Sequence, residues 1–109
     1  MVSWMGGGVN GRDIALQAKE FAKALEDSKA LDVKTYDVRG VSGFTDFFVV
    51  ATGAAAPHLK ALVKALPKAY RVSGDPESGW IVCDFVDVVV HIFSAEARAY
   101  YQLEKLWVK

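Results

Sequence analysis

Cysteine is nearly absent from this chain of 109 residues. Cys83 stands alone, so no internal disulfide and no cysteine-based zinc cluster can form, and a reducing compartment, by default the cytoplasm, is implied. A surplus of charge is missing too. Thirteen Lys and Arg cancel thirteen Asp and Glu, which leaves no positive field to hold a phosphate backbone, and direct nucleic-acid binding becomes a minority reading. No apolar run approaches the roughly 20 residues that span a bilayer, so no membrane partner is expected. The opening "MVSWMGGGVNGRD" lacks the basic start and apolar stretch of a signal peptide, and its single Arg12 makes a poor transit sequence. Residues 1–12 therefore read as a flexible tail. Its "GGGVNG" matches neither a P-loop, which needs Gly-Lys-Ser/Thr, nor a strand-bound GxGxxG, so no nucleotide cofactor is implied.

What is present points to one packed domain over residues 13–109. Hydrophobic residues make up 52% and charged residues 24%, the balance of a soluble globular chain long enough for a single core. From Asp13, the residues Ile14, Ala18, Phe21, Ala22 and Leu25 recur at helical spacing. "DVKTYDVRG" reads as a strand stopped by Gly40, and "FFVVATG" as a strand buried on both faces, central in a sheet. Pro57 suits the first turn of a short helix whose apolar face is Leu59, Leu62, Val63 and Leu66, with Pro67 as its stop. A strand near Tyr70 to Ser73 follows, then turn chemistry in "GDPESG". The chain closes with a helix capped by Ser94, with Glu96 in its first turn and Ala99, Leu103 and Leu106 as its stripe. The order is helix, strand, strand, helix, three strands, helix. It predicts an α/β (α+β) fold: a mixed sheet of about five strands flanked by helices.

The most apolar stretch, "GWIVCDFVDVVVHIF" at residues 79–93, also carries Asp84, Asp87 and His91. It is too long for one strand and predicts a hairpin with Phe85 and Val86 at the tip. A register symmetric about that tip sets Asp84 opposite Asp87, Cys83 opposite Val88, Val82 opposite Val89 and Trp80 opposite His91. Ile81, Cys83, Val88, Val90 and Ile92 then share an apolar core face. Trp80, Val82, Asp84, Asp87, Val89, His91 and Phe93 share the other, a mixture of aromatic, aliphatic and charged groups that suits a partner patch. Two aspartates facing each other repel unless water, metal or a basic partner compensates them. Val86 resists the positive φ of a tight turn, so a wider or type I turn is expected, with Phe85 projecting outward.

Sharper chemistries fare worse than this one. A metal site on Asp84 and Asp87 needs further ligands from Asp46 or His91, and His91 lies about 13 Å along the strand from Asp87. No metal is expected. Cys83 and His91 fall on opposite faces and make no nucleophilic pair, so Cys83 reads as a small core residue and no catalytic group is assigned. His58 at a helix start reads as a solvated or capping histidine. Tyr100, Tyr101 and Trp107 read as packing residues, since no basic groove accompanies them.

Three stretches carry a resemblance. "LDVKTYDVRGVSGFTDFFVVATG", "WIVCDFVDVVVHIF" and "RAYYQLEKLW" are similar, in order and in type, to the ribosomal silencing factor family, also called the Iojap family, over roughly residues 13 to 107. The resemblance implies a nucleotidyltransferase-like core without enzymatic activity. It also implies docking on the large ribosomal subunit, through that subunit's fourteenth protein, so that the small subunit cannot join and translation falls when nutrients are scarce. Trp80, Asp84, Phe85, Asp87 and His91 match family positions around the hairpin and are the expected partner-binding residues. The chain departs from the family in Val86, where Gly is usual, and in "AAAPHLK", where a Ser and an Arg are usual. Its Pro57 to Gly74 stretch is also shorter, and Ser73-Gly74 replaces Glu-Gly. Two competing readings remain. One is a nucleotidyltransferase-like enzyme or nucleotide-binding protein, for which "GVSGFTD" offers Ser42 and Asp46 but no Asp-x-Asp pair for magnesium. The other is a homodimer through the aromatic face.

Overall fold

The structure, a computed structural model, describes residues 11–40, 45–102 and 105. Most of the expected tail, with Ser42, Leu103, Leu106 and Trp107, lies outside the described residues. Helix α1 (Gly11–Asp27) begins two residues before the expected start, and its stripe of Ile14, Ala18, Phe21 and Leu25 is buried, as a 3.6-residue period demands. Its end is closed by Lys29, which takes the left-handed position at φ 72° that glycine usually fills. The N–H of Lys29 donates to the Glu26 carbonyl and the N–H of Ala30 to the Leu25 carbonyl.

Five strands follow the expected order: β1 (Leu31–Asp37), β2 (Phe47–Gly53), β3 (Arg71–Asp75), β4 (Trp80–Asp84) and β5 (Val88–Ser94), with α2 (Ala56–Ala65) between β2 and β3 and α3 (Ala95–Tyr101) last. They form one mixed sheet in the order β1-β2-β5-β4-β3. The β2 and β5 pair is parallel and the other three pairs are antiparallel. Being interior, β2 and β5 are almost wholly buried, which is why both read as unbroken apolar runs. Helix α2 stops at Leu66, whose extended backbone is what a residue before proline requires.

Helices α1 and α2 lie on one face of the sheet. There Phe21, Leu25, Leu59 and Leu62 pack against Val49, Ala51, Ile81, Cys83, Val88, Val90 and Ile92. The core side of the hairpin is therefore the one that alternation predicts. The pairing within the hairpin is different. Asp84 lies across from Val89, Cys83 from Val90, Val82 from His91 and Trp80 from Phe93. This register is offset by two residues from the symmetric one, a shift that preserves sidedness because side chains alternate with period two. Asp84 and Asp87 do not oppose each other, and the expected cross-strand repulsion is absent from this pair.

The tip explains the offset. Phe85, Val86 and Asp87 form a three-residue connection in which the Asp87 N–H donates to the Phe85 carbonyl (2.9 Å) and the Phe85 N–H to the Val88 carbonyl (2.9 Å). The Asp84 carboxylate accepts the Val86 N–H at 2.7 Å. This γ-turn holds Val86 at φ 75°, the left-handed conformation that a β-branched residue was expected to avoid. Phe85 does not project outward. It is half-buried against the core, its ring 4.4 Å from that of Phe21, because α1 passes beneath the tip and offers apolar surface. The final helix is also shorter than expected. Ser94 caps it by accepting the Ala97 N–H at 3.1 Å, but Gln102 adopts φ 50° and ends it after Tyr101.

Candidate partner-binding face

The other face of the sheet is built by the same alternation. Cross-strand neighbours share a face, so the register sets three rows on it. The first is Tyr36, Phe48, Val89, Asp84 and Arg71; the second is Lys34, Val50, His91, Val82 and Ser73; the third is Thr52, Phe93, Trp80 and Asp75. Among the described residues only α3 reaches this face. Its Ala97 packs with Val50 and Phe93, and Tyr36 and Trp80 lie against that small cluster. Beyond α3 the face is half-exposed at Tyr36, Phe48, Val82, Asp84 and Val89.

Aromatic rings dominate its centre. Trp80 stacks on Phe93 with centroids 5.3 Å apart and lies 4.9 Å from Tyr101, centroid to centroid, while His91 and Phe48 make a T-shaped contact at 5.0 Å. Trp80 Nε1–H donates to His91 Nδ1 at 3.2 Å, which places the proton of the neutral imidazole on Nε2. His91 is 7% exposed, and burial pushes its pKa down to about 4. A neutral histidine in an aromatic cluster is a rigid, polar-tipped packing element at ordinary pH. Cys83 lies on the opposite side of the same hairpin, its thiol pushed up to about 11 by burial, as an inert core residue would be.

Of the five expected partner-binding residues, the structure brings three together on this face: Trp80, Asp84 and His91. Asp84 has a structural task as well, since its carboxylate holds the Val86 N–H. Phe85 lies on the core side. Asp87 is a half-buried tip residue whose carbonyl accepts the N–H groups of Asp46 (3.0 Å) and Phe47 (3.2 Å), tying the hairpin to the start of β2. Among the described residues, no group of three His, Cys, Asp or Glu is placed to hold a metal ion. His58 accepts the Ala54 N–H at Nδ1 (2.9 Å), and its Nε2 lies 2.9 Å from the Ser28 carbonyl, so it ties the turn before α2 to the residue that follows α1.

Sequence reasoning missed Phe48, Tyr36 and Arg98. Phe48 could have been found by reading "FFVVATG" as alternating, with Phe48, Val50 and Thr52 on one side. Arg98 carries no local signal. Its guanidinium donates to the Asp32 carbonyl (2.7 Å) and to Thr52 Oγ1 (2.8 Å), which clamps α3 across the ends of β1 and β2. An ion pair with the Asp32 carboxylate at 3.5 Å completes the clamp.

These features define a class: a small α+β domain with one helix-covered face and one aromatic face that α3 covers at one end. A family model described as "Ribosomal silencing factor during starvation" matches residues 12–109. The chain belongs to that ribosomal silencing factor family. A ribosomal silencing factor of Halalkalibacterium halodurans is 36% identical over 92 residues, covering 77% of this chain and 79% of the relative. A mouse protein named for mitochondrial assembly of the ribosomal large subunit is 32% identical over 94 residues, 76% of this chain and 41% of its own length. A crystal structure of a Chromobacterium violaceum protein superposes with a TM-score of 0.77 at 29% identity, covering 91% of this chain and 87% of that one. No described helix is long and apolar enough to cross a membrane.

Proposed function

We propose that this protein is a cytoplasmic translation repressor whose aromatic sheet face docks on the large ribosomal subunit, at its fourteenth protein, and sterically prevents the small subunit from joining when nutrients are limiting. The observation that carries this reading is the face itself. Trp80, Phe48, Val82 and Val89 are half-exposed in one continuous patch, the composition of an interface centre, with Asp84 and Arg71 along one side as polar rim. Family membership supports the ribosome as partner, and the mouse relative's name ties that protein to a ribosomal large subunit. No reacting group is assigned, because the action is exclusion by occupancy.

The test is cosedimentation with purified large subunits, followed by a subunit-joining assay. Trp80→Ala removes the largest anchor and should weaken binding by about 2 kcal/mol or more. Asp84→Lys should act mainly on association rate and salt dependence. Undiminished binding by a folded Trp80→Ala protein would remove this face as the docking surface. Failure of the parent to bind would remove the ribosomal reading altogether.

A further inference from the structure

Helix α3 covers one end of the aromatic face, yet little apolar burial holds it there. Of its seven residues only Ala97 is buried. A helix of this length also falls well short of the roughly 12–15 residues at which an isolated helix becomes even marginally stable in water. The Ser94 cap orders its first turn, but a cap fixes where a helix begins and not where it lies on a sheet.

Arg98 supplies the tether. Its side chain is only 11% exposed, whereas the Asp32 side chain it pairs with is 60% exposed. Its guanidinium donates to the Asp32 carbonyl and to Thr52 Oγ1, hydrogen bonds from a charged donor and therefore of the stronger kind. The acceptors are shaped for this. Strand β1 carries one extra residue between Leu31, paired with Thr52, and Lys34, paired with Val50, and within that bulge Asp32 takes φ 48°. A bulge re-aims groups out of the regular ladder, and this one presents the carbonyl and the carboxylate of one residue to one guanidinium. Thr52 is buried, so its hydroxyl needs a protein partner, which Arg98 provides.

The effect is felt one turn further on, where α3 carries Tyr101. The Tyr101 and Phe93 rings are the neighbours of the Trp80 ring, and the indole N–H of Trp80 is engaged by His91. We infer that Arg98 is a positioning residue of the docking face: bound in the β1 bulge, it holds α3 against the sheet so that Tyr101 keeps Trp80 in one orientation before a partner arrives. This rests on the reading of that face as the docking surface. Arg98 acts through α3 and makes no contact with the partner itself.

Two measurements test it. In proton–nitrogen correlation spectra, the Trp80 indole N–H, assigned by its loss in Trp80→Phe, should exchange with solvent at least about tenfold faster in Arg98→Ala, while the amides of β2 and β5 keep their protection. Thr52→Val, which removes one acceptor and leaves the ion pair, should give a smaller acceleration. Lys60→Ala, which removes a cation on α2, should give none. In cosedimentation with purified large subunits, Arg98→Ala should weaken docking about tenfold, the cost of ordering two ring side chains at the moment of binding. It should add little in a Trp80→Ala background, because it acts through that ring. Unchanged Trp80 exchange in a folded Arg98→Ala protein overturns the inference, as does an equal acceleration in Lys60→Ala. Losses that add fully in the double variant overturn it too, since Arg98 would then meet the partner directly. If Arg98→Ala does not fold, Thr52→Val decides by the same two readouts. A parent that does not dock removes the ribosomal reading, and the exchange measurement then decides the positioning of Trp80 by itself.

Discussion

The two faces of one sheet are covered to very different extents. On the side of α1 and α2, aliphatic residues of β2, β4 and β5 meet Leu25, Leu59 and Leu62, and nearly every one is fully buried. On the other side the same strands present Phe48, Trp80, His91 and Phe93, with α3 covering only one end among the described residues. The first face holds the fold together through burial of apolar area. The second leaves Phe48 and Trp80 half-exposed beside the buried His91 and Phe93, so that part of its apolar area stays in contact with water. The comparison teaches that composition alone does not separate a core face from an open one, since both faces are apolar. What separates them is which side the helices take.

Truncations on the two faces should differ most. Leu62→Ala, in a fully buried site of α2, should lose roughly 2–5 kcal/mol in urea denaturation through lost transfer energy and a cavity. Val82→Ala on the open face should lose under about 1 kcal/mol, because its side chain is already partly hydrated. Equal losses would break the contrast between the faces.

A second effect should come from the open face alone. The pKa of His91 is pushed down to about 4 from an ordinary 6.5, so the unfolded chain takes up a proton as pH falls through 6.5 while the folded ring refuses it until about 4. Stability contributed at neutral pH is therefore lost across that window, by about 3 kcal/mol at most. Charged positions on the same face include Lys34, on the row of His91 beyond Val50, and Asp84, one row away on β4, and Arg98 of α3 reaches it at Thr52. Urea midpoints at neutral and mildly acidic pH should show a steeper decline for the parent than for His91→Phe. Parallel declines would mean that His91 is not buried as described.

The smallest effect belongs to the tip that joins the two faces. Val86 is 54% exposed and held at φ 75°, a conformation that costs a β-branched residue about 1–3 kcal/mol. Val86→Gly relieves that cost but enlarges the unfolded ensemble, for a net gain of about 1 kcal/mol. A thermal melt that moves downward would show that the Val86 side chain has a packing role.

Much of this architecture was legible beforehand. Helical spacing found α1 and α2, the run "FFVVATG" marked an interior strand, and alternation in residues 80–93 sorted core from open face correctly. The hairpin register was missed by two residues, because alternation constrains only the parity of pairing while the hydrogen bonds of the tip choose the pairs. The hairpin pattern predicts an outward Phe85 because nothing near it in the chain announces Phe21, 64 positions earlier but with its ring 4.4 Å away in space. The Arg98 clamp was invisible for the same reason, with partners 46 and 66 residues away.

The sequence by itself determined the order of the elements, the sidedness of the two hairpin strands and the family, because these follow from local periodicity and from residue types in a fixed order. Only the tertiary structure decided which strands are neighbours, which rings stack on His91, why Phe85 turns inward and that β3 is left with a free edge. Those outcomes depend on contacts between segments far apart in the chain, where the energy of burial is shared among many side chains and no single stretch encodes the choice.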